Sequence, residues 1–152
     1  RKQPVVGNDK KRCCARLRVR VAEGEQGLVP PIERVQMVGE REVEVTVLSV
    51  RHLPKMDITG SCDAYCVLRW AEQEHKTSTK KATYDPEWED ELSVFTLAPD
   101  FDGDVEGLTL EVYDWDLAGS DDKVGHVTIP REVMDQVAFA GGGWEAEGSY
   151  YV

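Results

Sequence analysis

Six aspartates fall in two short stretches of the sequence. Leu53-Pro54-Lys55-Met56-Asp57-Ile58-Thr59-Gly60-Ser61-Cys62-Asp63 holds two of them, and Asp114-Trp115-Asp116-Leu117-Ala118-Gly119-Ser120-Asp121-Asp122 holds four. Each stretch directly follows a strand-like segment, so each reads as a loop tip where side chains can converge. Clustered carboxylates repel, at a cost of about 1 kcal/mol per pair at ~4 Å in water and about 4 kcal/mol near a protein surface. A hard cation removes that cost. Calcium takes roughly six to eight oxygen ligands in forgiving geometry, and Asp is the short carboxylate that suits a crowded loop. Asp is also an ordinary turn residue. The pairing of two such loops, with this internal spacing, is what favours a cation.

A helix–loop–helix calcium site does not fit. Counted from Asp114, the fifth position is Ala118 and the twelfth Gly125, so a ligand and the closing Glu are missing. Asp100-Phe101-Asp102-Gly103-Asp104 puts Glu111 at its twelfth position, but its glycine is fourth and Val105 is sixth. Its flanks alternate like strands, whereas that motif needs helices. Residues 98–106 read as a solvated turn.

Other chemistry is sparse. His52, His75 and His126 show no ligand or triad spacing, and there is no glycine-rich phosphate loop or nucleophile motif. An enzyme is not expected. Trp70, Trp88, Trp115 and Trp144 read as core or loop-base residues. Cys13 and Cys14 are adjacent, while Cys62 and Cys66 share one strand, about 13 Å apart at ~3.3 Å per residue. That is too far for a disulfide, and a reducing, cytoplasmic setting fits. Lys10-Lys11-Arg12-Cys13-Cys14 reads as a flexible or pairing segment rather than an acylated basic anchor.

The elements that must position the two loops are strands. Val43, Val45 and Val47 alternate with Glu42, Glu44 and Thr46, and Leu108, Leu110 and Val112 alternate with Thr109, Glu111 and Tyr113. Further strands are expected over 64–70, 75–79, 88–97, 124–129 and 144–152. Ala15–Val21 sets Leu17, Val19 and Val21 against Arg16, Arg18 and Arg20, which offers an eighth. Only Arg131–Val137, led by Pro130, reads as helical. Short strands at this spacing with Gly/Pro/Asp-rich turns predict an eight-stranded antiparallel Greek-key β-sandwich with a short helix near 131–137.

Charge divides the chain. The net charge is −11 over 152 residues, but residues 1–40 carry +4 and residues 41–152 carry −15. Gly24, Gly27, Pro30, Pro31 and Gly39 make 22–40 linker-like. The expected organisation is a basic N-terminal extension over 1–40 and a sandwich over 41–152. So acidic a body does not seek nucleic acid, and it repels anionic lipid unless its field is inverted locally. No run of apolar residues is long enough to span a bilayer, and no signal-peptide pattern is seen. A start at Arg1 reads as a fragment or processed chain.

Taken in order, the motifs resemble those of the C2 domain, the calcium- and lipid-binding sandwich of protein kinase C and the synaptotagmins. Leu53-Pro54-Lys55-Met56-Asp57 and Ser61-Cys62-Asp63-Ala64-Tyr65-Cys66-Val67 resemble the family's first calcium loop. Asp85-Pro86-Glu87-Trp88-Glu89-Asp90 is similar to its Asn-Pro-x-Trp-Asn-Glu segment. Asp114-Trp115-Asp116, Asp122 and Val124-Gly125 resemble its third loop and the strand after it, and Ile129-Pro130 also matches. The resemblance runs from residue 42 to about 152. It implies Asp57, Asp63, Asp114, Asp116 and Asp122 as ligands for two or three calcium ions, with main-chain carbonyls of Met56 and Trp115 added. It further implies docking on an anionic phospholipid membrane, so that the protein is cytoplasmic and becomes peripheral to a membrane when calcium binds. With Ala15–Val21 as the first strand, the strand permutation would be the synaptotagmin-like one. Met56, Ile58 and Leu117 either insert among headgroups or pack under the loops. Lys76, Lys80 and Lys81 are either a phosphoinositide patch or a solvated strand face. Departures from the family pattern (Ala64 for Pro, Asp85 for Asn, Glu89-Asp90 for Asn-Glu, Leu117 for a basic residue) bear on anionic-lipid binding more than on calcium. The alternative function is a structural or protein-interaction C2 domain in a larger assembly with little calcium dependence, in which residues 1–40 grip an acidic protein partner.

Overall fold

The computed structural model describes residues 13–21, 40–55, 61–103, 106–140 and 143–150. Among these described residues nine strands follow one another: β1 Cys13–Val21, β2 Arg41–Arg51, β3 Cys62–Trp70, β4 Gln73–Lys76, β5 Lys80–Thr83, β6 Ser93–Leu97, β7 Leu108–Asp114, β8 Asp122–Ile129 and β9 Gly143–Tyr150. A helix, α1 Arg131–Asp135, runs into a π-helical turn at Gln136–Ala140 before β9. One sheet has the order β6-β2-β1-β9; the other has β4-β3-β7-β8, with β5 also paired to β3. All named strand pairs are antiparallel.

Alternation builds the sandwich. Ala15, Leu17 and Val19 of β1 join Val43, Val45 and Val47 of β2 and Phe95 and Leu97 of β6 on one inner face. Cys62, Ala64, Cys66, Leu68 and Trp70 of β3 join Leu108, Leu110 and Val112 of β7 on the other. Each large side chain withdrawn from water contributes roughly 1.5–3 kcal/mol. Trp70 meets Phe95 and Phe101 edge-on at 5.7 and 5.5 Å, the arrangement a ring quadrupole favours.

Two strand expectations shift. Of the polar strand foreseen at 75–79, His75 and Lys76 belong to the end of β4, and 77–79 are a break before β5. Buried Thr77 turns its hydroxyl to accept the Cys66 N–H at 2.9 Å, and its own N–H bonds the Cys66 carbonyl at 3.0 Å. One edge strand thus becomes two pieces, which gives nine strands among the described residues where eight were expected. The strand foreseen from Trp88 begins only at Ser93. Residues 85–91 fold over β2 instead: the Val50 N–H bonds the Pro86 carbonyl and the Trp88 N–H bonds the Leu48 carbonyl. Trp88 is buried beneath, its Nε1 donating to the Ser78 carbonyl at 2.8 Å. That cover explains why β2 is buried on both faces from Val45 to Val50.

Cys13–Val21 occupies a central position, paired to β2 on one side and β9 on the other. It is the first strand among the described residues. The remainder of 1–40, apart from Glu40, lies outside the described residues, as do Met56, Asp57 and Ile58 of the first loop.

Candidate metal centre

Three strand ends meet where the acidic loops leave the second sheet. Asp63 is the second residue of β3, Asp114 the last of β7 and Asp122 the first of β8. In register, Ala64 lies opposite Asp114, and Asp114 lies opposite Asp122. Two backbone N–H groups zip the loops together. The Asp63 N–H donates to Asp114 Oδ1 at 2.7 Å, and the Trp115 N–H donates to the Asp63 carbonyl at 2.8 Å.

Each of three carboxylates gives one oxygen to the protein. Asp63 Oδ1 accepts the Ala82 N–H at 2.8 Å, which Ala82 delivers from a left-handed backbone, φ 53°. Asp114 Oδ1 accepts the Asp63 N–H, and Asp116 Oδ1 accepts the Ala118 N–H at 3.1 Å, a turn closed by the side chain. Anchoring one oxygen orients the carboxylate and leaves the other for a ligand. All the donors are hard oxygens, the set suited to calcium rather than zinc. Among the described residues, however, no three carboxylate, imidazole or thiol side chains converge on one point. The fit therefore rests on donor chemistry and on the meeting strand ends, and Asp57 and the Met56 carbonyl lie outside the described residues.

Asp121 has a different role from its neighbours. Its Oδ1 accepts the Asp116 N–H at 3.0 Å and its Oδ2 accepts the Tyr65 hydroxyl at 2.5 Å. The Asp116 N–H first, and the Tyr65 hydroxyl with it, hold the Asp121 carboxyl below its ordinary range. Burial, then the bond to Asp121, pushes the Tyr65 hydroxyl up. Tyr65 stacks on Tyr113 with ring centres 5.4 Å apart. Sequence reasoning ranked neither Tyr65 nor Asp121 as a site residue. The signals were there: Tyr65 follows Asp63 by two, on the same strand face, and Asp121-Asp122 is a doublet of which only one member is needed as a ligand.

The expected lipid contacts scatter. Leu117 stands 85% exposed at the tip of the second loop. Lys76 Nζ sits 3.7 Å from the centre of the Tyr65 ring, and Lys81 Nζ sits 4.9 Å from that of Trp115. Lys80 Nζ pairs with Glu91 at 3.3 Å. Glu91 is a strong acceptor: burial works to raise its carboxyl, but Ser78 and Lys80 bring it below the usual range. Further along the outer face, Glu111 gathers Lys123 at 2.5 Å, the Tyr113 hydroxyl at 2.8 Å and Arg69. Burial alone would raise Glu111, yet these three donors bring it down to about 2. A cleft of about 480 Å³, lined by Arg69, Glu72, Glu74, Glu106 and Glu111 among others, lies toward the opposite end of β3 and β7. It plays no part in the loop chemistry, since carboxylates on loop tips need no cavity to hold a cation.

A two-sheet antiparallel sandwich with acidic loops at one end defines a class of β-sandwich binding domain, and comparison with known proteins names it. The family model for the C2 domain matches residues 41–142, and the chain belongs to the C2 domain family. A probable serine/threonine-protein kinase of Dictyostelium discoideum is 39% identical over 58% of this chain and 9% of its own length. Synaptotagmin-3 of Arabidopsis thaliana is 33% identical over 61% of the chain and 17% of its own. The chain thus spans under a fifth of the length of these relatives. The crystal structure of a RIM C2 domain from Drosophila aligns with a TM-score of 0.54 at 15% identity, covering 90% of this chain and 97% of that one. At that identity the likeness shows the fold.

Proposed function

We propose that this chain is a calcium-dependent docking module for anionic phospholipid membranes. In this reading Asp57, Asp63, Asp114, Asp116 and Asp122, with the carbonyls of Met56 and Trp115, hold two or three calcium ions. The observation that carries it is the meeting of Asp63, Asp114 and Asp122 at the ends of three adjacent strands, zipped by the Asp63 N–H on Asp114. Calcium bound there supplies positive charge and coordination positions that lipid phosphate oxygens can fill.

The chain's own residues do the rest. Five aspartates make the loop end strongly negative, so the empty loops repel an anionic surface. The acidic body adds to that repulsion, and only the loop tips need invert for binding. In this reading Leu117, exposed on the tip, enters the headgroup layer. The lysines support a calcium switch over constitutive adsorption, because Lys80 is paired with Glu91 and Lys76 and Lys81 rest on aromatic rings. In a cell the protein would move from cytoplasm to membrane as calcium rises.

The test is sedimentation with vesicles of phosphatidylcholine and phosphatidylserine, in millimolar calcium and in chelator. The expected result is pelleting in calcium alone. Equal pelleting in both would replace the calcium reading with constitutive adsorption through the lysines, and no pelleting in either would leave the protein-interaction alternative.

A further inference from the structure

We propose that Asp121 and Tyr65 form a clamp that sets the shape of the third loop, making Asp121 a positioning residue for Asp116 rather than a ligand. The proposal rests on the calcium reading above and adds the means by which the loop is prepared for its ion. Asp121 spends both carboxylate oxygens inside the protein, one on the Asp116 N–H at 3.0 Å and one on the Tyr65 hydroxyl at 2.5 Å. That separates it from Asp63, Asp114 and Asp116, each of which has one oxygen so engaged.

The clamp ties a loop to a strand. Tyr65 lies on β3, is almost fully buried at 6% exposure, and is fixed from the sides by stacking on Tyr113 and by Lys76 over its ring. Its hydroxyl is therefore a fixed point. Asp121 carries that fixity across to Asp116, whose carboxylate in turn closes a turn onto Ala118. The loop would otherwise have to be ordered when the ion arrives, at a cost to affinity, because ordering backbone on binding is unfavourable. A hydrogen bond to a charged group contributes more than a neutral one, so loss of either arm should be visible in the affinity.

Charge and position can be told apart. Tyr65→Phe removes one arm and no charge. Asp121→Ala removes both arms and the charge. Asp121→Asn removes the charge but keeps an oxygen for the Asp116 N–H, and its amide can donate to the Tyr65 oxygen. Calorimetric titration with calcium alone is expected to show Tyr65→Phe weakened about three- to tenfold and Asp121→Ala about tenfold or more, with Asp121→Asn within about threefold of the unaltered protein. Equal losses in Asp121→Asn and Asp121→Ala, with Tyr65→Phe unchanged, would overturn the clamp and leave Asp121 as a mere background charge. Amide hydrogen exchange in chelator gives the second readout. The Asp116 N–H should be protected in the unaltered protein and in Asp121→Asn, and should exchange faster in Asp121→Ala. An Asp116 N–H that exchanges equally in all of them overturns the clamp even if calcium binds. A protein that protects Asp116 but takes up no calcium overturns the calcium reading, and the positioning role with it, while leaving the loop contact itself standing.

Discussion

At the scale of single residues, the acidic surface is sorted by what each carboxylate touches. Glu111 is the clearest case, since it lies between Arg69, Lys123 and the Tyr113 hydroxyl on the outer face of the second sheet. Burial works to raise its pKa, and the three donors win, bringing it to about 2. A carboxyl whose folded pKa lies below its unfolded value of about 4.3 stabilises the fold above that value. That stability is lost as the pH falls toward 2. Arg69 and Lys123 are themselves 45% and 42% exposed, so solvent screens the pairs and the contribution is about 1–2 kcal/mol. Glu111→Gln should therefore lower stability by that amount at pH 7 and by much less near pH 2.5. Urea unfolding at the two pH values checks this, and a difference independent of pH would refute it. The loop aspartates show what sequence can reveal at this scale. Asp63, Asp114, Asp116 and Asp122 stand out as candidates because their loops resemble the calcium loops of C2 domains. Asp121 shows only as half of the Asp121-Asp122 doublet, and no local pattern names the hydrogen bond it makes, because its partner Tyr65 is 56 residues away.

At the scale of elements, local rules marked out the strands and tertiary contacts overrode them at two places. The alternation of Val43, Val45 and Val47 in β2 and of Leu108, Leu110 and Val112 in β7 is carried by side chains that do face the core, so period two was a faithful signal there. The strand expected over 88–97 loses its first five residues, because Trp88 is drawn into the core and the chain turns there, the Glu91 N–H closing on the Trp88 carbonyl. Thr77 breaks the edge strand by bonding β3 with its side chain, a competition that sequence propensity does not report. The tight turn from β3 to β4 shows a rule broken outright. Ala71 and Glu72 both have positive φ, 51° and 58°, in a two-residue hairpin that favours Asn-Gly. A non-glycine residue held there stores strain of order 1 kcal/mol. Glu72→Gly should therefore stabilise the protein by about 0.5–1 kcal/mol, net of the extra freedom that glycine gives the unfolded chain. Thermal melting decides the sign, and a lower midpoint would mean that the Glu72 side chain contributes more than its backbone costs.

At the scale of the molecule, charge and fold divide the chain differently. The sequence splits by sign near residue 40, but the basic part contributes a strand to the interior of the first sheet. In register, Arg18 lies opposite Thr46 of β2 and Glu145 of β9, and Arg16 lies opposite Ser49 and Glu147. The strand's other face puts Ala15, Leu17 and Val19 in the core, at 0%, 1% and 0% exposure. The family model begins at residue 41, so a protein cut there would look complete by family resemblance. Physically it would not be. Removing residues 1–40 exposes facing edges of β2 and β9, whose backbone N–H and C=O groups have no other strand to take them, and unpaired edges invite association. It also empties the core of Leu17 and Val19, each worth roughly 1.5–3 kcal/mol, against a total stability of about 5–15 kcal/mol for a domain. A chain of residues 41–152 is therefore expected to lose cooperative melting and to self-associate, while residues 1–152 melt in a single step as a monomer. Calorimetry and sedimentation velocity on the two chains, at matched concentration and without calcium, settle the matter. If 41–152 melts as a monomer at the same temperature as the full chain, then β1 is an accessory strand, and residues 1–40 are free to serve as a separate grip for a partner.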